Sequence, residues 1–187
     1  MRLPWILTYK LLNKYIDVIN KCREIFVNKT QDYGTSWRIF RLSSITDQIY
    51  IKAKRIRSIE ESGTNKVGDP ILDDYFGMIN YSIIALMQMD YINFDVQDIN
   101  IDLEQLMHRY DSTVDSIVEL TENKNHDYGE AWRDMRISSI TDIILAKLLR
   151  IKQIEDSGDN LICSEGIDSN YMDIVSYSVF SCLKLSN

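Results

Sequence analysis

Apolar residues recur at helical spacing along much of the chain. Between residues 11 and 26 they follow one another at steps of about three or four, and this amphipathic pattern ends where Gly34 can take a left-handed conformation. A matching pattern from residue 106 to 120 is followed by Gly129. The spacing therefore predicts two equivalent helices, each stopped by a glycine.

Two further helices are predicted in each half of the chain. Segments 44–62 and 139–157 open with Ser-Ile-Thr-Asp, in which the serine and the acid three residues later have the form of a capping box. A third helix is predicted from Pro70, because proline suits the first helical turn, and its counterpart is predicted over 169–185. Residues 90–105 show no clear period, and we interpret them as a linker.

The two halves are copies of one sequence. Residues 32–63 recur as residues 127–158, and more than half of the aligned positions are identical. Residues that both copies retain indicate what the fold or its site requires. We therefore expect an all-α protein, a tandem repeat of a three-helix unit packed as a pseudo-two-fold helical bundle, with repeat 1 at 1–89 and repeat 2 at 106–187.

Composition and charge exclude several classes of protein. The chain has 187 residues, 45% of them apolar and 26% charged, which is enough for a sizeable core. The formal charge of -7 disfavours nucleic acid as a partner, and no stretch approaches the length needed to span a membrane. Three cysteines without paired spacing and an N-terminus without the form of a secretion signal predict a cytoplasmic protein. We expect either a monomeric pseudo-dimer or a homodimer.

The second helix places charged residues on its apolar side. On a helical wheel at about 100° per residue, Lys52 and Glu60 fall within the apolar arc and Arg55 lies at its edge. Repeat 2 retains all three residue types at the equivalent positions. Charged side chains are almost never buried without partners. The counter-ions come either from an internal ion-pair network that joins the repeats or from an anionic ligand such as a phosphate.

Two other groups of residues have the chemistry of a site. The sequence Lys-x-x-Asp-Tyr-Gly-x-x-Trp closes the first helix of each repeat, starting at Lys29 and at Lys124. Its tryptophan could stack on a base or belong to the core. The third helix carries Asp73 in repeat 1 and Asp173 in repeat 2, and carboxylates on one helix face can hold Mg²⁺ together with substrate phosphates. Asp73 could equally cap its helix.

The order of these motifs resembles a known family. Lys-x-x-Asp-Tyr-Gly-x-x-Trp, then Lys-x-x-Arg, then Asn-Tyr-Ser-Ile at 80–83 or Ser-Tyr-Ser-Val at 176–179 resemble the nucleotide modification associated domain, first type, of bacteria and phages. The resemblance covers about residues 11–89 and 106–185 and is closest to relatives that carry the domain in tandem. It implies an α-helical protein of nucleotide metabolism or DNA-base modification. The chain is more distantly similar to the MazG-like all-α nucleoside triphosphate pyrophosphohydrolases, which use Mg²⁺ held by helix-borne acids.

These observations give one main hypothesis and one alternative. The main hypothesis is a protein that binds a nucleotide or a similar phosphate between its repeats, which the resemblance extends to a Mg²⁺-dependent nucleoside triphosphate pyrophosphohydrolase. The alternative is a non-catalytic interaction or regulatory module with a structural ion-pair network between the repeats. The residues alone do not establish catalysis. The predicted catalytic residues are Asp32 and Asp127, and the predicted metal ligands are Asp73 and Asp173. The predicted ligand-binding residues are Lys29, Tyr33, Trp37, Arg38, Lys52, Arg55, Asn80, Lys124, Tyr128, Trp132, Arg133, Lys147 and Arg150.

Overall fold

The computed structural model describes residues 4–90, 101–157 and 166–186. Over these ranges the chain forms α-helices joined by short connections and no strand, so the all-α prediction is confirmed. A short 3-10 turn lies directly before the second helix of each repeat, at Ser36–Ile39 and Ala131–Asp134. The helices are α1 (Pro4–Tyr33), α2 (Leu42–Ser62), α3 (Ile71–Asp90), α4 (Leu103–Tyr128), α5 (Ile137–Ser157) and α6 (Ile167–Leu185).

Four helices form the centre of the bundle. α2 packs against α3 and α5, and α6 packs against the same two helices, so the four close into a ring. α1 and α4 lie outside this ring. α1 contacts both α3 and α6, and α4 contacts the same two helices. Each repeat therefore covers apolar surface of the other, and the buried residues of both repeats belong to one hydrophobic core.

The periodic apolar residues of α2 and α5 are the ones that the core buries. Complete burial of a large aliphatic side chain contributes about 1.5–3 kcal/mol relative to exposure, so these two stripes hold the repeats together. The equivalent positions are buried in both helices. They are Ile45, Ile49, Ala53 and Ile56 in α2, and Ile140, Ile144, Leu148 and Ile151 in α5.

The predicted helix stops are confirmed, but the predicted capping boxes are wrong. Gly34 and Gly129 follow α1 and α4 with φ of 63° and 61°, the left-handed conformation that favours glycine. α2 begins at Leu42, and α5 likewise begins before its predicted serine. The backbone amide of Ser44 already donates to the carbonyl of Arg41 at 2.9 Å. The serine therefore lies within the first helical turn, where it has no free helix end to cap.

Some predicted boundaries fall on residues outside the described ranges. The predicted linker, 90–105, lies largely on residues 91–100, which are outside the described ranges. Gly158, the last residue of the repeated segment, and Cys163 are also outside these ranges. Within the described part, α3 extends to Asp90, and α4 already begins at Leu103. The division of the chain into two domains stays a prediction.

Hydroxyl and carboxyl groups join the two repeats where α2 meets α5. The Thr46 hydroxyl donates to the Glu155 carboxylate at 2.7 Å and lies 2.7 Å from the hydroxyl of Tyr171. The same contact recurs with the repeats exchanged, because the Thr141 hydroxyl donates to Glu60 at 2.9 Å. Burial raises the pKa of both glutamates above the ordinary value of 4.5. The glutamates of the second helices thus serve the contact between the repeats.

Two ion pairs flank these hydrogen bonds. The Arg57 guanidinium lies 3.3 Å from Asp142, and the ammonium of the equivalent Lys152 lies 2.5 Å from Asp47. The predicted capping aspartates therefore pair across the α2–α5 contact. Ion pairs therefore join the repeats, and among the described residues none of these pairs uses Lys52. Because these four side chains are largely exposed, each pair contributes only about 0–1 kcal/mol.

Candidate functional site

A cleft of about 640 Å³ opens on the outer side of repeat 1. Its walls come from the C-terminal half of α1, the 3-10 turn that follows, α2 and α3. Small-molecule pockets commonly measure roughly 300–1,000 Å³, so the cleft has room for a ligand of nucleotide size. All the residues that line it belong to repeat 1. The expectation of a site between the repeats is therefore wrong for this cleft.

Two lysines and one aspartate bring charge into the cleft. Lys29 lies near the end of α1, Lys52 lies in the middle of α2, and Asp73 lies in the first turn of α3. Lys52 is half-buried and Lys29 is exposed. Within the described ranges neither lysine forms an ion pair. We call Lys29 and Lys52 the cleft lysines. A partly buried ammonium without a counter-ion is unfavourable.

Gly77 provides the space in which Lys52 lies. A Cβ atom added at position 77 would lie 2.6 Å from Cε of Lys52 and 3.1 Å from its Nζ. Real side chains do not approach this closely, so a larger residue at position 77 would displace the lysine. The absence of a side chain at Gly77 is therefore what lets the ammonium rest against α3.

In repeat 2 the equivalent lysines, Lys124 and Lys147, both form ion pairs. Nζ of Lys124 lies 2.5 Å from Oδ1 of Asp173, and Nζ of Lys147 lies 2.8 Å from Oδ2. Asp173 stands where repeat 1 has Gly77 and is only 13% exposed in its side chain. One largely buried carboxylate thus bridges two ammonium groups. The duplicated lysines are therefore paired with Asp173 in repeat 2, whereas those of repeat 1 form no ion pair with any residue that the structure describes.

The repeated tryptophans belong to the core. Trp37 and Trp132 are 7% and 6% exposed, and the ring of Trp132 stacks on Phe180 with 4.4 Å between centroids. The equivalent of Phe180 in repeat 1 is the smaller Ile84, which lines the cleft beside Trp37. Tyr33 also lines the cleft and is 72% exposed. An aromatic contact with a base is therefore more accessible to Tyr33 than to either tryptophan.

Asn80 lines the cleft, but its amide is fully engaged with the protein. Its Nδ2 donates to the carbonyl of Cys22 at 2.9 Å, and its Oδ1 accepts from the hydroxyl of Tyr110 at 2.9 Å. These bonds connect α3 to α1 and to α4 across the repeats. Asn80 is therefore a structural residue of the cleft wall, and a ligand would have to compete for both of its bonds.

Arg55 faces away from the cleft, although it lies only one helical turn from Lys52. Its guanidinium pairs with Asp74 and also donates to the Asn65 side chain and to the Asp69 carbonyl, each at 3.0 Å. These bonds order the connection between α2 and α3. Arg55 is not among the residues that line the cleft, so its predicted contact with phosphate finds no support in the geometry.

The remaining predicted basic residues also lie outside the cleft. Arg38 is buried and donates to the side chain of Gln88, while its equivalent Arg133 is exposed and pairs with Glu130. Arg150 is half-buried on α5. None of the three lines the cleft.

The predicted catalytic aspartates are exposed at the ends of α1 and α4. Asp32 is not part of the cleft wall, and Asp127 lies 3.1 Å from the ring of the neighbouring His126. Tyr128 is 73% exposed beside Asp127. Asp32 follows Lys29 by three residues on α1 but is not part of the cleft wall, and the catalytic role of both aspartates stays a prediction.

A metal site made by the protein alone does not fit the residues present. In the part of the chain that the structure describes, no three His, Cys, Asp or Glu side chains come together. Both oxygens of Asp173 are already bound by lysines. Asp73 offers one carboxylate in the cleft. Since Mg²⁺ is often held by one or two carboxylates together with substrate phosphates and water, Asp73 fits a magnesium ion only if it accompanies a phosphate ligand.

Sequence reasoning missed the apolar walls of the cleft and the hydroxyl contacts between the repeats. Phe40 and Phe76 line the cleft, but repeat 2 has methionine at both equivalent positions, so comparing the copies gave no signal. Thr46 and Thr141 are identical in the two copies. Their retention was a usable signal for the contact between the repeats.

The six helices of the described ranges and the cleft define an all-α bundle built from a duplicated sequence. The family model of nucleotide modification associated domain 1 matches residues 29–89 and again residues 124–185. Because the two matches together cover more than half of the chain, the protein belongs to this family, and the family predicted from the motifs is confirmed. No curated protein and no solved structure matches the chain. The described helices include none that is long and apolar enough to cross a membrane.

Proposed function

We propose that repeat 1 binds a nucleotide in its cleft and that the cleft lysines contact its phosphates. One observation carries this proposal. The two lysines line a cleft of ligand size and, among the described residues, neither forms an ion pair, whereas Asp173 bridges their counterparts in repeat 2.

A phosphate supplies negative charge beside the cleft lysines. The two lysines and Asp73 together give the cleft wall a formal charge of +1. A phosphate monoester carries about -1.5 to -2 at pH 7. Hydrogen bonds from ammonium to phosphate are roughly twice as strong as those between neutral groups. A bound phosphate would thus remove the unfavourable state of the half-buried Lys52.

The rest of the cleft suits the nucleoside part of the ligand. Trp37, Phe76 and Tyr33 line the cleft with the cleft lysines, and of these three rings Tyr33 is the exposed one on which a base could stack. Stacking of a base on an aromatic side chain contributes roughly 1–3 kcal/mol. The family description, nucleotide modification associated domain, supports a nucleotide over a simple phosphate.

Hydrolysis of a nucleoside triphosphate is the reaction that we propose to test. Magnesium would supply Lewis-acid stabilisation of the phosphate charge when bound, and Asp73 is the residue that would hold it. Lys29 and Lys52 would position the phosphate. The similarity to MazG-like pyrophosphohydrolases stays a prediction that this reaction tests.

A second candidate is a non-catalytic interaction or regulatory module. It is favoured by the polar contacts that hold the fold together, namely the Asp47–Lys152 and Arg57–Asp142 pairs between the repeats and the paired lysines of repeat 2. In such a protein the cleft would bind no nucleotide.

Ligand-induced stabilisation distinguishes the two candidates. Purified protein is heated with ribonucleoside and deoxyribonucleoside mono-, di- and triphosphates, with and without Mg²⁺, and hits are quantified by isothermal titration calorimetry. A ligand at a hundred times its Kd stabilises the folded state by about 2.7 kcal/mol. We expect this stabilisation in the wild type and its loss in Lys52→Met. Phosphate and pyrophosphate release assays show whether any bound nucleotide is hydrolysed.

Lys54→Met is the matched control, because Lys54 lies on the exposed face of α2 two residues further on. It should retain wild-type binding. The proposal fails if no nucleotide binds the wild type, or if Lys52→Met binds as tightly as Lys54→Met does.

A further inference from the structure

We propose that Asp173 is a built-in replacement for the ligand's phosphate. It closes the anion site of repeat 2, so each chain has one working anion site, and its carboxylate marks where a phosphate lies over Gly77 in repeat 1. This inference rests on the proposed function and adds to it the number of sites, the position of the anion and the chemical class of the group that binds.

The geometry of repeat 2 provides the template. The two carboxylate oxygens of Asp173 each accept from a different lysine, at 2.5 Å from Lys124 and 2.8 Å from Lys147. Repeat 1 retains both lysines but has Gly77 in place of the aspartate. An oxyanion with two oxygens on one central atom, placed over Gly77, can therefore accept from both cleft lysines in the same way.

A phosphate is favoured over a carboxylate because it carries more negative charge. The two cleft lysines and Asp73 give the cleft of repeat 1 a formal charge of +1. A phosphate group, with about -1.5 to -2 at pH 7, attracts both ammonium groups more strongly than a monoanion does. A dianionic phosphate should accordingly bind repeat 1 more tightly than a monoanion such as acetate.

The residues that surround the lysine pair also differ between the two repeats. In repeat 2 the ring of Phe180 stacks on Trp132, whereas in repeat 1 the smaller Ile84 leaves the equivalent wall open to the cleft. Removal of Asp173 would therefore free only the position of the anion in repeat 2. Phe180 would still fill the space that corresponds to the nucleoside part of the cleft in repeat 1. Inorganic phosphate is the appropriate probe for both repeats.

The first test closes repeat 1 with Gly77→Asp. The new carboxylate would push aside only the flexible end of Lys52, and it should then pair with both cleft lysines as Asp173 does. We expect phosphate affinity to fall at least tenfold, while the ligand-free variant unfolds at a temperature no lower than the wild type. Phosphate also stabilises proteins non-specifically, so variants are compared at equal ionic strength against sulfate and acetate.

The second test opens repeat 2. Lys52→Met removes phosphate binding by repeat 1. When Asp173→Ala is added to this variant, phosphate should again stabilise the protein, because Lys124 and Lys147 can then bind it. Alanine is chosen because it is the best helix former and leaves room for the anion. Circular dichroism checks that each variant is folded.

The outcomes separate this inference from the proposed function. If neither phosphate nor any nucleotide stabilises the wild type, the proposed function fails. If the wild type responds but Gly77→Asp responds equally, or if folded Lys52→Met/Asp173→Ala shows no response, the inference is overturned and the proposed function stands. Should Asp173→Ala not fold, the result for Gly77→Asp decides alone.

Discussion

Replacing Lys147 by methionine should destabilise the ligand-free protein, whereas the same replacement at the equivalent Lys52 should not. The two residues occupy the same position in the two repeats and have the same chemical structure. Lys147 lies 2.8 Å from Asp173, while Gly77 lies beside Lys52. The pair of variants therefore compares a lysine that is paired with Asp173 with an equivalent lysine that has a glycine at that position.

The size of the difference follows from burial. Removing one partner of a fully buried ion pair costs about 3–5 kcal/mol, and an exposed pair contributes about 0–1 kcal/mol. The side chains of Lys147 and Asp173 are 23% and 13% exposed, and Asp173 keeps Lys124 at 2.5 Å. We therefore expect Lys147→Met to cost roughly 1–2 kcal/mol, between those limits. In a chain of this size that corresponds to a fall in Tm of roughly 2–8 °C.

Lys52→Met should change stability by less than about 0.5 kcal/mol or increase it. Methionine retains the apolar stem of lysine and removes an ammonium that forms no ion pair within the described part of the chain. The expected difference between the two variants is thus more than about 1 kcal/mol.

Urea denaturation followed by circular dichroism measures this difference. The buffer should be free of phosphate and of low ionic strength, because an anion in the cleft would stabilise the wild type and mask the effect. Equal destabilisation by the two replacements would refute the reasoning, because Lys52 would then have a counter-ion of its own within the protein.

Three other replacements test the structural roles assigned above. Asn80→Ala should cost roughly 1–3 kcal/mol in urea denaturation, because it leaves the buried Tyr110 hydroxyl unpaired; a cost below about 1 kcal/mol would contradict that role. Arg55→Met should destabilise by roughly 2–4 kcal/mol through the loss of its pair with the buried Asp74, yet leave nucleotide affinity in calorimetry unchanged, and a tenfold loss of affinity would place Arg55 in the site after all. Burial raises the pKa of Glu155 above 4.5, so the folded state binds its proton more tightly than the unfolded state, and stability falls as pH rises from about 4.5 through the raised pKa. Glu155→Gln keeps an acceptor for the threonine hydroxyl and should flatten that part of the stability profile and stabilise the protein at pH 7, which thermal unfolding across pH 4–8 would show.

The helices were predictable because their signals are local. Apolar spacing and the glycines at 34 and 129 decide where α1 and α4 run and stop, and neither signal depends on the rest of the molecule. The start of α2 was not predictable in the same way. The Ser-Ile-Thr-Asp sequence has the form of a cap, but Asp47 is used in the contact between the repeats, and that contact exists only in the folded bundle.

The candidate site was half predictable for a similar reason. Periodicity places Lys52 and Arg55 on or beside the apolar side of one helix and so raises the question of their counter-ions. Periodicity does not show that the loop before α3 accepts hydrogen bonds from Arg55, or that Gly77 leaves space for Lys52. Both facts depend on residues from other segments. The contrast between Gly77 and Asp173 was visible in the aligned repeats, but its meaning required the distances to the lysines.

The glycine on α3 and the aspartate on α6 show what joining two copies in one polypeptide permits. In an assembly of two identical subunits a mutation appears in both subunits, so an ancestor of that kind could not fill one site and keep the other. After gene duplication and fusion the halves evolve separately. One half can then become a scaffold that is stable without cofactor or substrate, and the destabilising groups that activity requires are confined to the other half.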